Sequence, residues 1–376
     1  MHKVIFVSDS FKGTLGSAEI CAIARETVPR FFPDCTVVSL PVGDGGEGTL
    51  ECFLESTGGE RISVPVHGPW MEEITADYAR HGDTAMIEMA QAAGLPMVGN
   101  RKDPGRTTTY GVGELIAHAV RAGATNLILG LGGSCTNDAG CGCAAALGVR
   151  FLDADGWDFI PTGDTLSRIA SIDAAPAREF LAGCTISAMC DIGNPMHGPK
   201  GAAHVFAPQK GADEEMCAML DEQLRALDGC IRSQLGLSVG ELPGAGAAGA
   251  MGAGVVAFLG GALRPGIEIV LDTIGFDGHL AGCDAVFTGE GRIDDQTLSG
   301  KVVAGVARRA ARAGVPVYVL AGGIADAADA AYDVGVTAMF STNRAGLPVS
   351  ALAGRAADDY RRTLEDVLRL LRAARA

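Results

Sequence analysis

Short apolar runs followed by glycine-rich polar loops mark both ends of the chain. Residues 4–7 are a continuous apolar stretch, the pattern of a strand buried on both faces of a parallel sheet, and 36–40, 285–288 and 315–320 read as further strands. Helical periodicity follows at about 17–32, from about 49, and up to about 313, which predicts βαβ units. Between 60 and 89 the texture changes. Residues 61–66, 74–79 and 85–89 are short, partly alternating segments separated by HGPW and RHGD, and predict an antiparallel meander. An amphipathic helix is expected over 107–122, where His118 reads as structural. Buried strands are expected at 127–131 and 185–189, and a long helix at 214–235 with its charges on a solvated face. Residues 153–182 form a polar excursion. The expected fold is α/β with two domains. Residues 1–62 and 284–376 form a Rossmann-like parallel-sheet domain, and 63–283 form an inserted mixed α/β domain.

Composition narrows the class. The 376 residues allow two domains with ample core. Aromatics are only 5%, so the core must be built from Ala, Val, Leu and Ile. A formal net charge of −15 argues against nucleic-acid partners, although a local cluster of donors can still take an anionic ligand. No apolar run approaches the ~20 residues of a membrane span, and the first residues carry no signal-peptide pattern. The cytoplasm is therefore the expected compartment, with no membrane partner. The eleven cysteines contain no CxxC pair. Cys135, Cys141 and Cys143 lack a histidine at zinc spacing, so they read as small buried thiols.

The stretch 126–151, NLILGLGGSCTNDAGCGCAAALGVRF, runs from strand through polar loop to helix. That arrangement aims backbone N–H groups at an anion. Gly132, Gly133, Gly140 and Gly142 would let the backbone approach a phosphate, and Ser134 and Thr136 add hydroxyls. Asp138 is out of place in an anion site unless a metal lies between. A plain strand-to-helix turn that needs glycine remains the competing reading. Other candidates follow predicted strands, where open α/β sheets bind ligands. These are Ser10 and Lys12; Asp44 and Glu47; Asp191; and Glu290, Arg292, Asp294 and Lys301. Glu88 lies in an apolar segment and should be paired or face the cleft between the domains. A G-x-G-x-x-G at Gly244, Gly246 and Gly249 has no strand before it, which weakens a dinucleotide reading, and no P-loop motif exists.

The wording of these loops resembles the bacterial glycerate kinase family. LGLGGSCTNDAGCG, SDSFKG (8–13), DGGEGT (44–49), CDIGNP (190–195), VFAPQKG (205–211) and TGEGRIDDQTLSGK (288–301) match its blocks in order. The resemblance implies ATP-dependent phosphorylation of D-glycerate, with the 2-position favoured over the 3-position, and ATP and Mg2+ as cofactors. Phosphoryl transfer needs donors for the nucleotide phosphates, carboxylates for magnesium, a base and a cation. Gly132, Gly133, Ser134, Thr136, Asp138 and Gly140 are assigned to the nucleotide. Asp191, Asp294 and Lys12 are assigned to catalysis, with Asp191 as base and Asp294 as second choice. Ser10, Glu290, Arg292 and Lys301 are assigned to the substrate, and Asp44, Glu47 and Asp191 to the metal. A dinucleotide-dependent oxidoreductase of a small hydroxy acid and a non-catalytic glycerate sensor stay open as alternatives, as does a homodimer.

Overall fold

The computed structural model describes residues 1–11, 13–43, 48–294, 301–348, 351–352 and 354–374. Along the chain the first strands are β1 (Lys3–Phe6), β2 (Thr36–Ser39), β3 (Glu60–His67), β4 (Glu73–His81) and β5 (Thr84–Glu88). Next come β6 (Asn126–Gly130), β7 (Arg150–Leu152), β8 (Ser171–Asp173), β9 (Thr185–Met189) and β10 (Ala262–Arg264). The last are β11 (Ala285–Thr288), β12 (Arg292–Ile293), β13 (Val317–Ala321), β14 (Gly323–Ile324) and β15 (Val336–Ser341).

The chain divides into two compact units, Met1–Asp44 with Glu51–Gly58 and Pro265–Ala376, and Gly45–Leu50 with Gly59–Arg264. The first holds a five-stranded sheet in the order β15-β13-β11-β1-β2, and every pairing in it is parallel. Alternate residues serve opposite faces, as the pleat requires. Phe6 stacks on Phe287 at 4.5 Å and faces the helices Ser17–Thr27 and Ala356–Ala373. Ile5 and Val286 face Val303 and Val306 of the helix Val302–Arg312. Each such fully buried aliphatic stabilises the unit by about 1.5–3 kcal/mol.

Residues 265–283 pack in this unit, whereas the sequence reading placed them in the inserted domain. Ile267, Leu271, Phe276 and Leu280 belong to the same core as Val302 and Val303. Arg309, 6% exposed, binds Glu268, Asp272 and Asp277. That buried guanidinium holds the helix Gly266–Thr273 to the helix Val302–Arg312.

The second unit has a six-stranded sheet, β10-β9-β6-β5-β4-β3. The meander expected over 60–89 is present as antiparallel β3-β4 and β4-β5 pairs. β5 also pairs in parallel with β6, and β6 and β10 pair in parallel with β9. The polar excursion contains β8, which pairs antiparallel with the preceding β7, and the helix Ala175–Phe180. The helix Glu214–Leu235 starts where Asp213 accepts the Met216 N–H, an N-cap satisfying one orphan donor. Its buried stripe includes Leu220, Leu224, Leu227 and Ile231, and also Asp221 and Asp228. Those two carboxylates do not lie on a solvated face. Asp221 accepts the Gly198 N–H at 2.6 Å, and Asp228 lies 3.2 Å from His197 Nε2. Each also binds an arginine one turn on, Arg225 and Arg232. No helix of the described residues is long and apolar enough to cross a membrane.

Candidate active site

The four parallel strands of the second unit end in register, Glu88 beside Gly130, Gly130 beside Met189 and Met189 beside Arg264. The loops that follow are therefore neighbours. Backbone bonds fasten the loop after β6 to the segment after β5. Met89 donates to Gly130 O at 2.9 Å, Leu95 to Gly133 O at 2.8 Å and Cys135 to Ala93 O at 2.9 Å. Glu88 is buried and paired: it accepts the Leu50 N–H at 2.7 Å, near the start of the helix Thr49–Thr57.

The loop has an outer and an inner half. Gly133 is exposed and Gly132 partly so, whereas residues 134–140 are buried. Asp138, fully buried, accepts the Thr109 N–H and hydroxyl at 2.8 Å each, the Gly140 N–H at 3.1 Å and the Gly142 N–H at 3.2 Å. Burial pushes its carboxyl upward while these four donors pull it back. The Thr109 hydroxyl also accepts the Cys143 N–H at 2.9 Å. Asp138 thus ties the loop to the start of two helices, Tyr110–Arg121 and Cys141–Ala146. The sequence reading assigns it to the nucleotide site, and in the structure its oxygens accept these four internal hydrogen bonds. The N–H of Gly140 is likewise taken up by Asp138. Gly142 is required for a close approach: a Cβ there would stand 2.1 Å from Thr108 Oγ1.

Lys210, 2% exposed, reaches into the same loop. Its Nζ donates to Ser134 Oγ at 2.8 Å and to Thr136 O at 2.7 Å. Burial lowers its pKa to about 8, against the opposing pull of Cys135 and Asp138. Thr136 Oγ1 and both amide atoms of Asn137 are buried without a hydrogen-bond partner.

The glycine-rich segment around Gly244, Gly246 and Gly249 is a brace between loops, and the dinucleotide reading loses its motif. The Gly246 N–H donates to Asn194 O at 3.0 Å, in the loop after β9, and Gly249 O accepts the Ala139 N–H at 3.0 Å. Ala248, Gly249 and Ala250 are all left-handed, with φ of 56°, 66° and 66°. The two alanines each cost roughly 1–2 kcal/mol there, a strain typical of segments fixed by their surroundings.

In the first unit, the strand order corresponds to 2-1-3-4-5 along the sheet, which switches direction between β1 and β11. Ligands of doubly wound sheets bind at such a switch point, beyond the carboxyl ends of the strands. Asp9 and Ser10 follow β1, and Glu290 follows β11. The two turns are joined where the Asp9 N–H donates to Gly289 O at 2.9 Å. The Ser10 N–H donates to Asp9 Oδ1 at 2.7 Å. A Cβ on Gly289 would stand 1.9 Å from Leu320 O, so only glycine lets β13 close in here. β12 pairs with β14, placing Arg292 beside Gly323. Glu290 is buried, and Arg292 is 72% exposed with its Nε 4.0 Å from Asp294 Oδ2. Lys301 sits at the N-cap of the helix Val302–Arg312.

The structure thus gathers Gly132, Gly133, Ser134, Thr136, Asp138 and Gly140 in one loop, and the exposed Asp191 lies in the loop that follows the neighbouring parallel strand β9. It separately gathers Ser10, Glu290, Arg292 and Asp294 at the ends of β1 and β11. Lys12, Asp44 and Glu47 lie outside the described residues. Among the described residues no group of three or more His, Cys, Asp or Glu is placed to hold a metal. The sequence reading assigns neither Thr109 nor Lys210 to the site. Thr109 stands in a run of three threonines before a helix, which was a signal. Lys210 lies in the VFAPQKG block (205–211), which was its signal, but it is one of several basic residues in 197–210.

Comparison with known proteins gives one answer. The profile of the glycerate kinase family matches residues 4–372. The chain is 46% identical to a glycerate kinase of Bacillus cereus over 342 residues, 90% of each chain. It is 42% identical to the glycerate 2-kinase of Escherichia coli K12, again over 90% of each chain. A crystal structure from Salmonella typhimurium LT2, assigned as a glycerate kinase 2, superposes with a TM-score of 0.88 at 40% identity. The match covers 100% of this chain and 99% of the other.

Proposed function

The chain belongs to the glycerate kinase family of phosphotransferases, and on that premise we propose that it moves the terminal phosphoryl group of ATP onto D-glycerate, at the 2-hydroxyl in preference to the 3-hydroxyl. The observation that carries this reading is the loop after β6, with exposed glycines outside and a buried ammonium behind, in a chain that the family matches almost end to end.

Gly132, Gly133 and Ser134 hold nucleotide phosphate through backbone N–H groups and a hydroxyl. Thr136, Asp138 and Gly140 keep the loop in shape. Ser10, Glu290 and Lys301 bind the substrate, and Arg292 grips its carboxylate bidentately. Asp191 accepts the proton of the attacking hydroxyl, with Asp294 as the second candidate, and Lys12 supplies positive charge for the transferred group. Magnesium fits this donor set: it keeps most of its waters and the nucleotide's oxygens, so it needs only one or two carboxylates. Asp191 is exposed two residues beyond β9, and the reading assigns it to the metal together with Asp44 and Glu47. When bound, the ion neutralises charge on the phosphate oxygens.

The test is a turnover of D-glycerate, ATP and magnesium followed by phosphorus NMR. A 2-phosphoglycerate resonance is expected. A 3-phosphoglycerate resonance would reverse the regiochemistry, and intact ATP with folded protein would sink the reading.

A further inference from the structure

Lys210 has an ammonium group that can only donate. Its bond to Ser134 therefore makes Ser134 Oγ the acceptor. The serine proton is left to point elsewhere, and it meets no acceptor among the described residues. Ser134 is 7% exposed and borders the exposed Gly133. Lys210 uses two of its three N–H groups, on Ser134 and on Thr136 O. Next along the loop, the Thr136 hydroxyl and the Asn137 amide are buried with no partner. This segment carries more hydrogen-bonding capacity than its own packing consumes, and the charge bonded to Ser134 is the Lys210 ammonium.

We propose that Lys210 is a positioning residue for nucleotide phosphate: it fixes the Ser134 hydroxyl as a donor aimed at the phosphate and sets a positive charge behind it. The pair acts as one unit, so neither member is useful without the other. This inference rests on the kinase reading above. A phosphate drawn to Ser134 also favours the protonated form of Lys210. The titratable groups facing the ammonium are the Cys135 thiol, which burial holds up at about 12, and the Asp138 carboxylate. Because burial leaves Lys210 titrating near 8, nucleotide binding above that pH should draw in a proton.

The experiment is calorimetric titration of the full chain with a non-hydrolysable ATP analogue and magnesium at pH 8.5, in two buffers of different ionisation enthalpy. Wild type is expected to take up a fraction of a proton per nucleotide. Lys210→Arg, always charged, should bind within about threefold of wild type with the uptake gone. Lys210→Met should bind at least about tenfold more weakly, one hydrogen bond to a charged group. Adding Ser134→Ala to Lys210→Met should cost no more than about a further twofold, the mark of a shared interaction. Fully additive losses, or no proton uptake by wild type, would overturn the proposal. If Lys210→Met does not fold, Ser134→Ala alone decides: unchanged affinity and unchanged uptake overturn it. Wild-type protein that binds no nucleotide sinks the kinase reading and this inference together. Normal turnover of glycerate without Lys210 dependence sinks only this inference.

Discussion

Thr109 donates twice to Asp138, once through its backbone N–H and once through its hydroxyl, each at 2.8 Å. A fully buried carboxylate is tolerable only when its oxygens are filled, and Thr109 supplies two of the four donors. Thr109→Val keeps the shape and removes the hydroxyl, leaving Asp138 short of a donor and Cys143 N–H without its acceptor. The expected loss is about 2–3 kcal/mol of stability, read as a lower urea midpoint with an unchanged slope. An unmoved midpoint would show that Asp138 does not depend on this pair.

Lys210 gives the protein a distinctive alkaline response. Burial lowers its folded pKa to about 8 from 10.5. Between those values the unfolded chain binds more protons, so stability rises with pH. The full cost of burying the charge is present below about 8 and is relieved toward 10.5. In the difference between wild type and Lys210→Met, urea unfolding at pH 7.5 and 9.5 should show wild type gaining up to about 1.4 kcal/mol per pH unit. A difference flat across that window would mean the ammonium is not held dry.

Arg309 tests the first unit. It is almost fully buried, and its acidic partners are a third to two-thirds exposed. Arg309→Met should destabilise by about 1–3 kcal/mol, less than for a wholly buried pair because water screens the carboxylates left behind. Its measurement is chemical denaturation alongside KM for glycerate, which should not change.

The carboxylates at the strand ends separate by kinetics. Asp191→Asn should lower kcat at least about a hundredfold, the scale of a lost general base, and Asp294→Asn should lower it less. Arg292→Lys should raise KM for glycerate with kcat nearly intact, since a point charge cannot reproduce a bidentate grip. Steady-state rates under saturating ATP decide both, and a reversed order of the two asparagine variants would move the base to Asp294.

The strands were legible where burial is two-sided. Residues 285–288 and 185–189 are mainly apolar segments in the sequence and strands at those positions in the structure. The position of the Gly-rich loop was legible for the same reason, because β6 ends at Gly130, within one residue of the end of the apolar run. Its internal division was not. Asp138 looked odd for an anion site, and the oddity was the signal that its partners are internal donors, three backbone N–H groups and the Thr109 hydroxyl. Asp221 and Asp228 hid inside a charged helix, although their seven-residue spacing puts them on one face. Ala248 and Ala250 could not be foreseen as left-handed, because alanine does not advertise that conformation.

The pairing of β1 with both β2 and β11 has a consequence for synthesis. Residues 4–6 gain β2 almost at once, but their other neighbour, Ala285–Phe287, leaves the ribosome roughly 250 residues later. At ~5–20 residues per second, that delay is on the order of 10–50 s. All the while β1 offers one bare, strongly apolar edge, the kind of template on which chains aggregate. The six-stranded sheet, by contrast, is complete once Arg264 has emerged. The nascent first sheet is thus the point at which a chaperone would have most to protect.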